Sequence, residues 1–309
     1  MILESLNWPA IRSSANLLVF LLRDQLSADL DLSTLSAAEL KRGQQYRLPT
    51  KQRQFFFTRS IGREVLAKYL EVSPQNISWN ASGPPAILVN GKSAGCAVSV
   101  SHSGNVSALA IAPAQWQIGV DIEMQPENFN WKALAAIALT PVEQEALQAE
   151  HAVHRPTLLL HSWTLKEAVL KCLRTMPAPE ARAVRMIWEP DGAGFPREIH
   201  LDDSRINSSS GRKQDWRIAR FQSELLTETA SWAVPEGIFG QTRTSGAGSG
   251  ALAIFRTAPA SSLTQVDKSS RQPVMTEVAN RLKFSRIRLM NCGVKRNSGI
   301  LIDLLVATI

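Results

Sequence analysis

Seven residues, Gln117-Ile118-Gly119-Val120-Asp121-Ile122-Glu123, constrain the fold more than any other stretch. On a strand, side chains alternate between faces, so Ile118, Val120 and Ile122 share one face and Gly119, Asp121 and Glu123 share the other. The strand therefore buries an aliphatic row and sets two carboxylates side by side, next to a residue with no side chain. Two close carboxylates repel unless they share a cation or a proton. Oxygen ligands of this kind suit Mg²⁺, which commonly takes one or two carboxylates together with phosphate oxygens of a substrate. The gap at Gly119 would let a bulky ligand approach the backbone. The plainer alternative is a half-exposed strand with a polar outer face.

The elements around this strand follow from periodicity. Leu17–Leu22 is a short apolar run suited to a buried strand. Helical phasing begins around Ser33–Gln45. A stronger amphipathic helix covers about Thr50–Glu71, with Phe55, Ile61, Val65 and Tyr69 on one stripe and Ser73-Pro74 beyond its end. Gly83-Pro84-Pro85 reads as a turn. Cys96, Val98 and Val100 alternate with Ala97, Ser99 and Ser101, Ser103-Gly104-Asn105 has turn chemistry, and Val106–Ala112 returns as a strand. With residues 117–123 these suggest a three-stranded antiparallel meander. Residues 131–150 and Thr157–Leu173 read as helical, Trp188–Leu201 as a hairpin broken by Asp191-Gly192-Ala193-Gly194, and Asp215–Phe221 as a strand. Each half thus offers one substantial helix and about three strands, an α+β order repeated twice.

Charge is distributed unevenly. The 309 residues carry a net charge of +7, yet residues 246–309 hold nine Lys and Arg against three Asp and Glu, or +6 of that total. The expected organisation is an N-terminal half over 1–117, a C-terminal half over 118–245, and a flexible basic tail over 246–309, entered through the linker-like Thr244–Gly250 and carrying a basic amphipathic stretch at 275–290. The composition is globular, and the longest early apolar run is far too short to span a bilayer. Three scattered cysteines argue against a disulfide framework or a zinc ribbon and favour a reducing cytosol.

Three further clusters carry chemistry. Trp163, Glu167 and Lys171 lie at i, i+4 and i+8 of a helix, close to one face, with Lys166 beside Glu167. The bland reading is a surface salt bridge; the sharper one makes Glu167 a third carboxylate for the same metal. Ser99-Val100-Ser101-His102-Ser103 places small hydroxyls and an imidazole at a strand end, where they can hold phosphate oxygens or merely cap a turn. A Ser-His-Asp hydrolase fits poorly, because no G-x-S-x-G elbow is present. Finally, Lys41, Arg42, Arg47, Lys51, Arg53, Arg59, Arg63 and Lys68 are accompanied by Glu64 as the only acid among them. They suit a phosphate-rich ligand or an acidic protein, or else solvated helix faces.

In this order and spacing, Ser101-His102-Ser103, Gly119–Glu123 and Trp163–Lys171 resemble the S-H-S, G-V/I-D-I/V-E and W/F-x-x-K-E-A/S-x-x-K motifs of 4′-phosphopantetheinyl transferases of the surfactin-synthetase-activating type, nearest the W-K-E-A branch. Arg53, Arg59 and Arg63 are similar to the family's arginine-rich helix, and Thr140-Pro141-x-Glu143 to a helix start between the acidic motifs. Ser99 stands where the family often has Asn, Gly83-Pro84-Pro85 where it often has Gly-Lys-Pro, and no Gly-x-Gly turn follows Lys171. The resemblance covers about residues 15–235.

It implies a pseudo-dimer of two α+β halves with coenzyme A between them. It also implies transfer of the phosphopantetheine arm to a serine of an apo acyl or peptidyl carrier protein, with release of adenosine 3′,5′-bisphosphate. The roles it implies are Asp121, Glu123 and Glu167 as Mg²⁺ ligands, Glu167 as base, Lys171 as charge stabiliser, and Ser101, His102, Arg53, Arg59 and, more weakly, Lys166 as coenzyme A contacts. It further implies that Asp121 and Lys171 face the cofactor. The expected protein is a cytoplasmic monomer serving fatty-acid, polyketide or nonribosomal-peptide synthesis, without a membrane or nucleic-acid partner. Two rivals stand beside it: a catalytically dead carrier-protein-binding homologue, and a nucleic-acid-binding protein acting through its basic tail.

Overall fold

Strand β1 (Leu17–Asp24) is buried along its whole length, as its unbroken apolar run requires of a strand covered on both faces. The computed structural model describes residues 8–9, 12, 17–24, 29–80, 85–124, 129–173, 178–188, 196–201, 216–221, 248–256, 290–297 and 300–307. After β1 come helices α1 (Ala37–Gln44) and α2 (Pro49–Leu70), then strands β2 (Ile77–Trp79), β3 (Ile87–Val89), β4 (Lys92–Ser93), β5 (Cys96–Ser103), β6 (Val106–Pro113) and β7 (Trp116–Met124). Helices α3 (Trp131–Ala138), α4 (Pro141–Ala149) and α5 (Arg155–Leu173) follow. The chain continues through β8 (Val184–Trp188), β9 (Pro196–Leu201), β10 (Trp216–Phe221), β11 (Gly248–Arg256), β12 (Met290–Asn297) and β13 (Ile300–Ala307).

The architecture is α+β with pseudo-two-fold character: two main antiparallel sheets, each flanked by a long helix, beside the smaller β2-β3-β4 and β8-β9 sheets. One main sheet has the order β12-β13-β1-β6-β5 and the other β10-β11-β7. The even residues Leu18, Phe20 and Leu22 of β1 pack with Phe57, Ile61 and Val65 of α2. The odd residues Leu17, Val19 and Leu21 pack with Ile118, Val120 and Ile122 of β7. The aliphatic row of β7 is thus the seam between the halves, and its opposite face lies under α5.

Local signals set the helix starts. Ser36 and Glu39 form a capping box for α1, and Thr140 and Glu143 form one for α4, with Pro141 opening the helix. Pro49 opens α2, and Glu71 ends it in the left-handed region.

Two expectations are corrected. The meander does not form: β5 pairs with β6, but β7 leaves that sheet and pairs with β11. Its edge is taken by a strand more than 120 residues away in sequence, which local alternation cannot report. The stretch 246–309 is not wholly a tail either. It supplies β11 to one sheet and β12 and β13 to the other, where β13 pairs with β1 from Leu17↔Ala307 to Asp24↔Ile300. Gly248-Ser249-Gly250 has linker composition, yet it lies opposite Met124, Glu123 and Ile122. The amphipathic stretch expected at 275–290 lies outside the described residues except for Met290, as do Gly83-Pro84, Asp191–Gly194 and the linker up to Ala247.

Candidate functional site

The site is built where β5, β7 and α5 meet. Alternation along β7 puts Asp121 and Glu123 on the face toward α5. That face can come close because residue 119 is glycine: a Cβ there would collide with the Ala168 carbonyl and the Cys172 amide. The gap read from sequence as room for a ligand is filled by the backbone of α5 instead. A side chain at 119 would lift the helix that carries Glu167 and Lys171 off the strand that carries Asp121 and Glu123.

Asp121 is 3% exposed. Its Oδ1 accepts from Ser101 Oγ at 2.7 Å and from Lys171 Nζ at 2.6 Å. Lys171 Nζ also donates to Ser101 Oγ at 3.0 Å, closing a Ser101–Asp121–Lys171 triangle. Asp121 Oδ2 is buried and has no hydrogen-bond partner. Glu123 is held by both oxygens: Ser103 Oγ donates to Oε2 at 2.8 Å and Trp163 Nε1 to Oε1 at 3.3 Å. Burial first, and the Asp121 charge second, push its carboxyl up to about 7, against the opposing pull of Ser103, Trp163 and Lys171. Glu167, one turn before Lys171, is raised for the same two reasons. Trp163, Glu167 and Lys171 therefore do face β7 together, as their spacing predicted.

The remaining candidates divide. His102 sits at the end of β5 beside the Gly104 turn. That turn is pinned by Gln54 Nε2 on the Gly104 carbonyl at 2.7 Å and by Asn105 Nδ2 on the Asp24 carbonyl at 2.9 Å. Its imidazole lies below the ordinary value, first through partial desolvation of the ring and then through the nearby cations Lys51 and Lys171. Arg53 is fixed to Asp24 by two bonds of 2.6 and 2.8 Å. Arg59 is stacked between the Phe55 and Trp79 rings, 5.5 and 4.5 Å from their centroids, and its buried Nη1 has no hydrogen-bond partner. Burial lowers its guanidinium pKa.

Lys166 points elsewhere. It is wholly buried and donates to Glu143 Oε2 at 2.8 Å and the Ala138 carbonyl at 3.0 Å. It joins α5 to α3 and α4 and is not brought together with the site. Sequence reasoning passed over Glu143 as a helix start, and it passed over Ser103 and Trp163 as the clamp on Glu123. The two-residue spacing of the serines and the four-residue spacing from Trp163 to Glu167 were the signals for the latter pair.

Among the described residues no group of three or more His, Cys, Asp or Glu side chains is gathered as a metal site. The donor chemistry nonetheless fits a hard divalent cation. Asp121 Oδ2 is an unpartnered buried oxygen, and both glutamates are held in the protonated direction by burial and by Asp121. No helix among the described residues is long and apolar enough to cross a membrane.

Residues 117–223, which open on β7 and include α5, match the model of the 4′-phosphopantetheinyl transferase superfamily. The 4′-phosphopantetheinyl transferase HetI of Nostoc sp. is 30% identical over 141 residues, covering 45% of this chain and 59% of HetI. The 4′-phosphopantetheinyl transferases AcpT of Salmonella typhimurium and of Escherichia coli K12 are 30% identical over 142 and 140 residues. Each match covers 45% of this chain, and they cover 69% and 68% of those proteins. On these matches, the chain belongs to the 4′-phosphopantetheinyl transferase superfamily.

Proposed function

We propose that the chain transfers the 4′-phosphopantetheine arm of coenzyme A to a serine of an apo acyl or peptidyl carrier protein, with Mg²⁺, releasing adenosine 3′,5′-bisphosphate. The observation that carries this reading is the Lys171–Asp121 contact between β7 and α5, with a buried Asp121 oxygen left unpartnered and the Asp121 charge acting on Glu123 and Glu167. Membership of the family, and relatives named as phosphopantetheinyl transferases, support it.

The residues divide the work by environment. Asp121 Oδ2, Glu123 and Glu167 would hold the cation. Once bound, Mg²⁺ supplies Lewis-acid stabilisation of the diphosphate oxygens. Glu167 accepts the proton of the attacking carrier serine, a role suited to a carboxylate whose proton affinity burial raises. Lys171, already fixed by Asp121 and Ser101, presents its ammonium to the charge that develops on the phosphoryl oxygens. His102 contacts coenzyme A phosphates from the end of β5, and Ser101, whose hydroxyl is engaged by Asp121, Ile122 and Lys171, serves the same end by holding Lys171. Arg59 has a free buried donor for the same anion, and Arg53 adds positive charge beside it while tied to Asp24.

A cytoplasmic monomer, with halves meeting near residue 117, completes the reading. Basic residues of α1 and α2 would steer an acidic carrier. The test is incubation with coenzyme A, Mg²⁺ and a panel of apo carrier proteins, followed by mass spectrometry. A gain of one phosphopantetheine arm on one carrier is expected, lost on removing Mg²⁺ and in Glu167→Gln. No gain on any carrier, or undiminished transfer by Glu167→Gln, overturns the proposal or its base.

A further inference from the structure

Strands β5 and β7 belong to different sheets, yet they run side by side. The hydroxyls of Ser99, Ser101 and Ser103 accept from the backbone N–H groups of Val120, Ile122 and Met124, at 3.0, 3.4 and 3.0 Å. Each pair is separated by 21 residues. A constant offset means the strands run in the same direction, and a spacing of two puts all three serines on one face of β5. Side-chain oxygens thus stand where carbonyls would stand in a ladder.

A hydroxyl has one proton and two lone pairs, so accepting an amide leaves the proton free. Ser101 sends it to Asp121 and Ser103 to Glu123. These rungs therefore fix a carboxylate as well as the strand. The Ser99 rung is buried like that of Ser101, but its hydroxyl meets the Val120 amide, one residue before Asp121, rather than a carboxylate.

What else could hold β7 at this height? The apolar seam beneath it includes Ala97, Ala108, Ala110 and Ala112, and contact with small side chains is non-directional. The Ser101 rung is the longest of the three, and its oxygen is shared with Lys171. The ladder with β11 and the Gly119 contact tie β7 to its own sheet and to α5, so within the contact with β5 the directional restraint nearest Asp121 that serves the strand alone is Ser99.

We propose that Ser99 is a positioning residue: its hydroxyl sets the register of β7 against β5, and so places Asp121 and Glu123 opposite Glu167 and Lys171. The inference rests on the transferase reading for its catalytic consequence, but its geometric part can be tested alone.

Ser99→Thr and Ser99→Val are nearly isosteric and differ in the hydroxyl. Both full-length variants are compared with the unaltered chain by Mn²⁺ titration under electron paramagnetic resonance, by kcat and KM for an apo carrier at saturating coenzyme A, and by melting temperature. Losing the buried acceptor in Ser99→Val is expected to weaken Mn²⁺ binding and lower kcat, each about tenfold or more, with KM for the carrier within about threefold. Ser99→Thr is expected to stay within about threefold of the unaltered chain throughout. Equal changes in the two variants, a loss confined to melting temperature, or an unaltered chain that binds no Mn²⁺ overturns the proposal. If Ser99→Val does not fold, Ser99→Ala, which adds no volume, carries the same expectations. An unaltered chain that binds Mn²⁺ but transfers nothing overturns the transferase reading, while the Mn²⁺ contrast still decides the role of Ser99.

Discussion

Helix α5 carries two lysine–carboxylate pairs on opposite sides, and they are built to opposite specifications. Lys171 meets Asp121 at 2.6 Å and Lys166 meets Glu143 at 2.8 Å. Glu143 is saturated. Its Oε2 accepts from the Thr140 amide, the Thr140 hydroxyl and Lys166, and its Oε1 accepts from the Met186 amide at 2.8 Å. Asp121 has one oxygen crowded by Ser101 and Lys171 and the other left without a partner. The first pair joins α3, α4, α5 and β8 into one body. The second holds unsatisfied negative charge, beside two glutamates that burial and Asp121 push toward neutrality. Ion-pair distance does not separate these two pairs; completeness of hydrogen bonding does.

The largest effect expected is on the open pair. Asp121→Asn keeps the shape but removes a charge that repels both glutamates. Transfer should fall about a thousandfold, as when a charge that meets the transition state is lost, while the melting temperature holds or rises. Kinetics and thermal melts on one preparation check this, and a melting point that fell as far as activity would erase the contrast.

Next comes the closed pair. Lys166→Met leaves Glu143 buried and uncompensated, and urea unfolding should show a loss of about 3–5 kcal/mol. Lys166→Met with Glu143→Leu should recover much of it, since an apolar pair can replace a buried ion pair. A Lys166→Met protein that stayed fully stable yet lost coenzyme A affinity would return Lys166 to the binding site.

Gly119→Ala forces α5 away from β7 and so stretches the open pair while sparing the closed one. A fall of about tenfold to a hundredfold in activity is expected from misplacement on this scale, with the Lys166–Glu143 contact intact by crystallography.

The smallest effect is in pH. The Glu123 carboxyl is raised from 4.5 to about 7 on folding. The folded chain therefore holds a proton that the unfolded chain has released between those values. Stability of the metal-free protein should fall as pH rises through that window. Mg²⁺ relieves the repulsion, so its addition should raise the melting temperature by a few degrees at pH 8 and by less at pH 5.5. Calorimetry with and without Mg²⁺ checks both arms; an equal gain at the two values would remove Glu123 as the titrating group.

Much of this was legible in the chain itself. Two-residue alternation put Asp121 and Glu123 on one face and Ile118, Val120 and Ile122 on the other, and the four-residue step aimed Trp163, Glu167 and Lys171 together. The runs 17–22 and 50–71 fall on β1 and α2. These are properties of backbone geometry repeated along a few neighbouring residues, so composition and spacing carry them.

Tertiary structure alone decided the rest. It moved β7 out of the expected meander and against β11, it drew residues 248–256, 290–297 and 300–307 into the sheets, and it sent Lys166 to Glu143 rather than to the side of Asp121. Adjacent residues of a helix point about 100° apart, so Lys166 and Glu167 must meet different surroundings, and nothing in the order of the letters says which surroundings those are. Gly119 shows the same limit. The sequence marks a missing side chain, and only packing reveals that the space belongs to the helix that brings Glu167 and Lys171 down onto the two carboxylates of β7.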